Sequence, residues 1–402
     1  MLKAEAEPHQ MNVDQLVWAG VPDLLLEFLK RRLHDGAQTN HGWPLCNQVN
    51  SLVIALMWLL SSESAIKAES PATRDEVMER IRPYVLAAFR YPLSAHEWYF
   101  SGDSKPATSN CTRGFKDVEY FGSKRTMGIP SAPIYAILCY FTRLDTLVPM
   151  FPLHLQRSSR ALSTRSKSKV GPKREDVEHF INECRTRFES WTPSPCSSLR
   201  QVSPAVQPYL CGSLTGRWKG SSIVPYVNEY RQWQTDLKKP ESMDTFCRQP
   251  LYITLREHFY CSLEVEPPRS NPKDPHSWLP ASWEEHDDGI AIIDDSTNCK
   301  RFYQTRVDGE ERPENIADVL ITGQTDDPYA AAWGAFKVFG RVRLSDGLVF
   351  LRRESIAGLG TTLLRGYLSS SNNFAGRYRA LNVEAEVAEW EAPFSLCKME
   401  ES

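Results

Sequence analysis

The run of residues 318–354 constrains the fold more than any other part of the chain, because its side chains alternate as they do in β-strands. The residues that alternate are Phe336, Val338, Gly340 and Val342 on one side and Lys337, Phe339, Arg341 and Arg343 on the other. A period of two is typical of a strand that buries one face. An Asp-Gly turn signal at 345–347 and apolar residues at 348–351 follow, which is the pattern of a β-hairpin. The run predicts consecutive antiparallel strands, as in a barrel or a sandwich.

Composition limits the class of protein. The chain has 402 residues, of which 41% are hydrophobic and 24% are charged, and this favours two or three globular domains. A formal net charge of -3 argues against nucleic acid as a partner, since such binding needs a concentrated basic surface. The N-terminus lacks the apolar core of a secretory signal, and the apolar run 52–60 is too short to span a bilayer. We expect a soluble intracellular protein, cytoplasmic or nuclear, with no membrane partner.

The ten cysteines show no C-x-x-C pairing. They match neither a disulfide framework nor a zinc site, so most are expected to be reduced thiols and no metal is predicted.

Residues 1–156 have the pattern of a helical domain. Apolar residues from Leu24 to Leu33 fall at helical spacing, with the basic residues 30–32 on the opposite face. Further apolar segments at 49–60, 77–89 and 132–144 predict more helices. The segment 101–128, rich in Ser, Gly and Lys, is predicted to be a loop.

Residues 157–211 are predicted to link the two halves. The segment 157–174 carries seven Lys or Arg and no acidic residue, which fits either a nuclear-import or nucleic-acid patch or a solvated loop. The loop is favoured because the stretch is Ser-rich and has almost no aromatic residues for base stacking. A short helix at 176–188 and a second Pro-rich and Ser-rich linker at 193–208 complete the region.

Residues 212–390 are predicted to form an antiparallel β-barrel, which makes the whole chain an α+β protein. The strand that opens this region places Leu214, Gly216, Trp218 and Gly220 on one face. Small barrels of the lipocalin or calycin kind open with a similar G-x-W strand, so Trp218 is expected to seal one end. Roughly eight strands are predicted, including 289–293 and 301–307. The first is expected to pair with 374–381 to close the barrel, and 391–402 is expected to be an acidic tail.

Several sequence blocks occur in a characteristic order across residues 212–381. They are GSLTGRWKG, LREHFYCSLEVEPP, SWLPASW, EEHDDGIAIID, DVLITGQTD, AAWGAFKVFGRVRLSDGLVFLRR and LRGYLSSSNNFAGRYRAL. Their succession resembles the C-terminal region of F-box-like proteins of mushroom-forming fungi. The resemblance implies a substrate- or ligand-recognition module attached to an F-box, which docks on the adaptor of a cullin ubiquitin ligase. At the N-terminus, residues 21–26 (VPDLLL) are a degenerate form of the Leu-Pro start of an F-box.

Catalytic motifs are not evident. The sequence has no G-x-S-x-G elbow, phosphate-binding loop or H-E-x-x-H pair, so no catalytic residue and no cofactor is predicted. Glu257 and His258 are adjacent on a predicted strand and should point to opposite faces. His258 is expected to be a polar plug or barrel-lining residue. The acidic pairs at 287–288 and 294–295 fit turns better than a cation site.

These patterns favour a non-enzymatic recognition or adaptor protein whose barrel binds a protein or a small ligand. The alternative is a small-molecule-binding or isomerase-like barrel enzyme with a cavity lined by Trp218, His258, Trp333 and Tyr378. Arg341 and Arg343, with Arg352 and Arg353, are predicted to form a basic stripe that either binds an anion or an acidic peptide or is a solvated outer face.

Overall fold

The computed structural model describes residues 8–93, 115–120, 123–128, 131–147, 172–186, 209–261, 279, 283–294, 299–305, 315–344, 347–358, 360–370, 372–380 and 390–399. Most of the helices lie in the N-terminal half, and the C-terminal half contains a closed antiparallel barrel of eight strands. The α+β class predicted from the sequence is confirmed.

The helices follow the apolar spacing of the first half. They are α1 (Pro8–Trp18), α2 (Val21–Arg31), a 3-10 helix (Ala37–Asn40), α3 (Gln48–Leu59), α4 (Glu63–Ala68), α5 (Pro71–Leu86), α6 (Ala132–Leu144) and α7 (Arg174–Thr186). Side chains of Asn47, Ser62 and Ser70 accept hydrogen bonds from the first turns of α3, α4 and α5, as N-caps do. Every residue of α6 is buried, so α6 is the central helix of the array.

The prediction of a loop over residues 101–128 was wrong for the last part of this segment. Residues Phe115–Tyr120 (β1) and Ser123–Gly128 (β2) form an antiparallel hairpin. The charged and polar residues in both strands hide the alternation that identifies a strand from sequence.

The barrel strands run up and down in chain order. They are β3 (Gly216–Pro225), β4 (Phe246–Cys261), β8 (Ile316–Gln324), β9 (Phe336–Arg343), β10 (Leu348–Ser355), β11 (Thr361–Ser370), β12 (Asn373–Ala380) and β13 (Glu391–Lys398). Each pairs with its neighbours in that order, and β13 pairs with β3 to close the ring. A short helix, α8 (Val227–Thr235), lies between β3 and β4, and α9 (Asp327–Trp333) lies between β8 and β9.

Closure of the barrel differs from the prediction in two respects. The segment expected to be an acidic tail contributes β13, which lies between β12 and β3. The predicted strands at 289–293 and 301–307 form β6 (Gly289–Asp294) and β7 (Cys299–Thr305), which lie outside the ring. With β5 (Trp283–His286) they extend the sheet from β4, and we call β5, β6 and β7 the side sheet.

The barrel interior and its outer surface are both buried. Inside lies an apolar core that includes Trp218, Phe259, Phe374 and Phe394. The side sheet packs on the outer face of β8, β9, β10 and β11. The helices share a third apolar cluster with outer-face residues of β10, β11, β12 and β13, so the helical array and the barrel are joined by one continuous core.

None of the helices in the described part of the chain combines the length and the apolar composition that a membrane span requires. Cys139, Cys184, Cys211, Cys247, Cys261 and Cys397 form no disulfide bond, whereas Cys46 is disulfide-bonded.

Candidate functional site

Trp218 lies inside one end of the barrel, which we call the Trp218 end. Its indole N–H donates a 2.8 Å hydrogen bond to the Leu214 carbonyl, and its ring meets Phe374 edge-on at 6.1 Å between ring centroids. Two residues along β3, Gly220 leaves no room for a β-carbon against the Ser395 carbonyl of β13. The strands therefore approach closely beside the ring, as the glycine spacing around Trp218 suggested.

A buried carboxylate, Glu257, holds the segment that covers this end. Its two oxygens accept hydrogen bonds from the Tyr209 hydroxyl (2.9 Å) and from the backbone N–H groups of Gly212 (2.6 Å), Leu214 (2.6 Å) and Thr215 (3.1 Å). Burial raises the pKa of Glu257, and these donors oppose the rise. Because Tyr209 belongs to this arrangement, the barrel unit begins before residue 212 and the predicted linker ends earlier than 211.

The opposite end of the interior is polar, and we call it the Tyr378 end. The Tyr378 hydroxyl accepts a bond from Ser222 and donates one to Gln249, both at 3.2 Å. Trp390 meets the Tyr378 ring edge-on at 5.4 Å, and burial raises the pKa of Tyr378 to about 12. Ser222 is four residues from Trp218 along β3, about 13 Å away, so the two ends are separate sites.

Arg353 also belongs to the Tyr378 end. The predicted basic stripe is not formed, because Arg353 shares the interior face of β10 with Val349 and Leu351 whereas Arg352 lies on the outer face against Trp283. The Arg353 guanidinium carbon is 3.3 Å from the centre of the Phe336 ring. Desolvation lowers the pKa of Arg353 to about 10.

His258 and Trp333 do not line the barrel. The two ring nitrogens of His258 are hydrogen-bonded to the hydroxyls of Thr305 (2.8 Å) and Thr322 (2.7 Å), on the outer side of β4. Desolvation lowers the pKa of His258 to about 4. Trp333 ends α9 and packs against Phe180 of α7, also outside the barrel.

The two remaining predicted site residues are on β9. Arg341 is buried on its outer face and donates a 2.8 Å bond to Asp318, which also accepts from the Tyr303 hydroxyl. Arg343 is half-buried at the end of the strand. Of the four residues predicted to line one cavity, only Trp218 and Tyr378 are inside the barrel, and they are at opposite ends.

A cleft of about 390 Å³ lies between α5, α6 and the start of β4. An ion pair between Arg82 and Asp244 crosses it, and Arg248 at its edge is paired with Asp145. Arg82, Asp244 and Arg248 in the cleft thus have charged protein partners. Among the residues that the structure describes, no three His, Cys, Asp or Glu side chains gather as metal ligands would.

Comparisons with protein-family models, with curated protein sequences and with solved structures gave no match.

Proposed function

We propose that this protein is a non-enzymatic recognition protein in an F-box-type setting. Its N-terminal helices would dock on the adaptor of a cullin ubiquitin ligase, and its barrel would bind the target or ligand. This proposal extends the sequence resemblance. The alternative, a barrel enzyme, has less support, because only Trp218 and Tyr378 of the four residues predicted to line its cavity are inside the barrel, and they are at opposite ends.

One observation carries the docking proposal: an apolar surface is exposed on α1 and α2. The side chain of Trp18 is 89% exposed and that of Leu24 is 67% exposed, and Leu16 and Val17 add to the surface. A turn of two residues joins the helices here, and Leu25 and Leu29 on the other side of α2 are buried. Because large exposed apolar residues that lie together mark interaction sites, this surface supports docking. The degenerate Leu-Pro start lies here too, with Pro22 in the first turn of α2.

The test is a binding measurement between the purified full-length protein and a purified fungal cullin-ligase adaptor. A double variant, Trp18→Ala with Leu24→Ala, should weaken binding at least about tenfold, as loss of central aromatic and aliphatic anchors does. Both residues are exposed, so the fold should be unaffected. Leu237→Ala is the matched control, because Leu237 is also 67% exposed and lies elsewhere. Equal binding by the wild type and the double variant, or no binding by either, would reject adaptor docking.

A further inference from the structure

Some buried side-chain atoms in the described part of the chain have no hydrogen-bond partner. Four of these atoms lie at the Tyr378 end of the barrel. They are Arg353 Nε, Ser355 Oγ, Thr362 Oγ1 and Thr325 Oγ1. Arg353 is directly opposite Thr362 across β10 and β11, and Ser355 is opposite Phe336 of β9. Thr325 follows β8, and its N–H donates to the Phe336 carbonyl at 2.9 Å. The four groups therefore come from neighbouring positions around one ring of the barrel.

Such a gathering is unusual, because nearly all buried polar groups in proteins are hydrogen-bonded. Leaving one unsatisfied is destabilising. A cluster of donors with no protein acceptor is typical of a ligand-binding site.

Arg353 differs from the buried arginines in the described part of the chain. Within the described residues, Arg143, Arg248, Arg341 and Arg365 are each paired with a carboxylate, and Arg377 donates to backbone carbonyls. Arg353 makes no ion pair or hydrogen bond with a described residue, and its stacking on Phe336 is its main contact. It is half-buried, so part of the side chain can be reached from solvent. Its charge and its free N–H groups are available to an acceptor from outside the protein.

We propose that the Tyr378 end of the barrel binds the carboxylate of a small organic acid with a flat, apolar body. A planar guanidinium matches a carboxylate with two parallel hydrogen bonds, and the hydroxyls of Ser355, Thr362 and Thr325 can donate to the same group. The rings of Phe336, Tyr378 and Trp390 would contact the apolar body. This inference deepens the recognition role proposed for the barrel and does not depend on docking by α1 and α2.

The charge at the site favours a carboxylate over a phosphate. Arg353 supplies one positive charge, and the hydroxyl donors around it are neutral. A singly charged carboxylate neutralises that charge, whereas a doubly charged phosphate would leave a net negative charge in a desolvated place. Beyond Tyr378 the interior is filled by apolar side chains towards Trp218, so the ligand must be small.

The test is calorimetric titration of the full-length protein with benzoate, with its neutral analogue benzamide and with inorganic phosphate. Benzoate should bind saturably at millimolar concentration or below, and the other two should not. Arg353→Met should weaken benzoate binding at least about tenfold, and Thr362→Val several-fold. Arg352→Met is the matched control, because Arg352 is the neighbouring arginine on the outer face, and it should bind benzoate as the wild type does.

Thermal unfolding separates a binding role from a structural one. Arg353→Met should unfold at the wild-type temperature or above it, because the substitution removes a partly buried charge that has no ion-pair partner and keeps an apolar contact with Phe336. Benzoate should raise the unfolding temperature of the wild type and leave that of Arg353→Met unchanged. A clear loss of stability in Arg353→Met would make Arg353 structural and overturn the proposal.

Two other results would also overturn it: no saturable binding of benzoate by the wild type, or equal binding by Arg353→Met. The adaptor measurement uses different residues and a different partner. Failure of benzoate binding with intact adaptor binding therefore rejects the carboxylate site alone, and the reverse result rejects adaptor docking alone.

Discussion

At the scale of single residues, consecutive side chains of a barrel strand point alternately into the barrel and out of it. Glu257 and His258 lie on opposite faces, as the strand prediction required. Which face is inside could not be predicted, because β4 is covered on its outer side by α7 and on its inner side by the core, so apolar residues occur on both faces. For Arg352 and Arg353 as well, the sequence does not show which of the two side chains points into the barrel. The sequence therefore predicted a barrel that contains Trp218, but it did not predict that Arg353, Ser355, Thr362 and Thr325 would lie together at the Tyr378 end.

Trp218→Ala tests the apolar core at the Trp218 end. Removing this buried ring and its hydrogen bond to Leu214 should lower the free energy of unfolding by about 3–5 kcal/mol, measured by urea denaturation. Trp18→Ala is the matched control, since it makes the same change at an exposed position and should cost close to nothing. If the two variants had similar stability, Trp218 would not be a core residue.

His258 makes stability depend on pH. Its pKa is about 4 in the folded protein and 6.5 when unperturbed, so between these values the unfolded chain binds a proton that the folded chain does not. The free energy of unfolding should therefore fall as pH decreases from about 6.5 to 4, by at most about 3 kcal/mol. His258→Gln should reduce this fall, as judged by urea denaturation at pH 7 and pH 4.5. An unchanged difference between the two pH values would show that His258 is not the group responsible.

At the scale of elements, strands were predicted correctly where apolar and polar residues alternate. Which strands pair with each other was harder to predict. β6 and β7 have strand patterns but bind to the edge of β4 rather than closing the ring, because alternation does not specify the partner strand. β13 was missed because residues 391–402 were predicted to be an acidic tail. In the structure Pro393 points outward, and Ala392, Phe394 and Leu396 face the core.

Glu257→Gln tests how the segment 209–215 is held over the Trp218 end. A glutamine amide brings its own N–H groups towards three backbone donors and the Tyr209 hydroxyl, so at least one donor loses its acceptor, at a cost of about 1–3 kcal/mol. Amide hydrogen exchange should become faster in 212–215 than in the remaining barrel strands. Glu354→Gln, an exposed carboxylate on β10, serves as the control. Unchanged protection of 212–215 in Glu257→Gln would mean that the carboxylate does not hold the segment.

At the scale of the whole molecule, the helical array and the barrel are stabilised together. The sequence divided the chain into a helical half and a barrel half, and it gave no sign that residues of β12 would bind the end of α5, nearly 300 positions earlier. Such contacts depend on the packing of complete elements, which local patterns do not contain. The helical array shares one core with the outer face of β11, β12 and β13. Unfolding of either the helical array or the barrel would therefore expose the contact surface of the other.

Arg377→Met tests this coupling. The buried guanidinium of Arg377 donates 2.6 Å hydrogen bonds to the carbonyls of Tyr84 and Tyr91, at and just beyond the C-terminal end of α5, where backbone carbonyls lack helical partners. Removing it should leave these carbonyls unsatisfied and cost about 3 kcal/mol or more. Because the core is continuous, amides of α6 and of β12 should show the same loss of protection in hydrogen exchange. Arg217→Met, which removes a half-exposed ion pair with Asp326, should change neither. Loss of protection in α6 with β12 unaffected would show instead that the helical array and the barrel unfold independently.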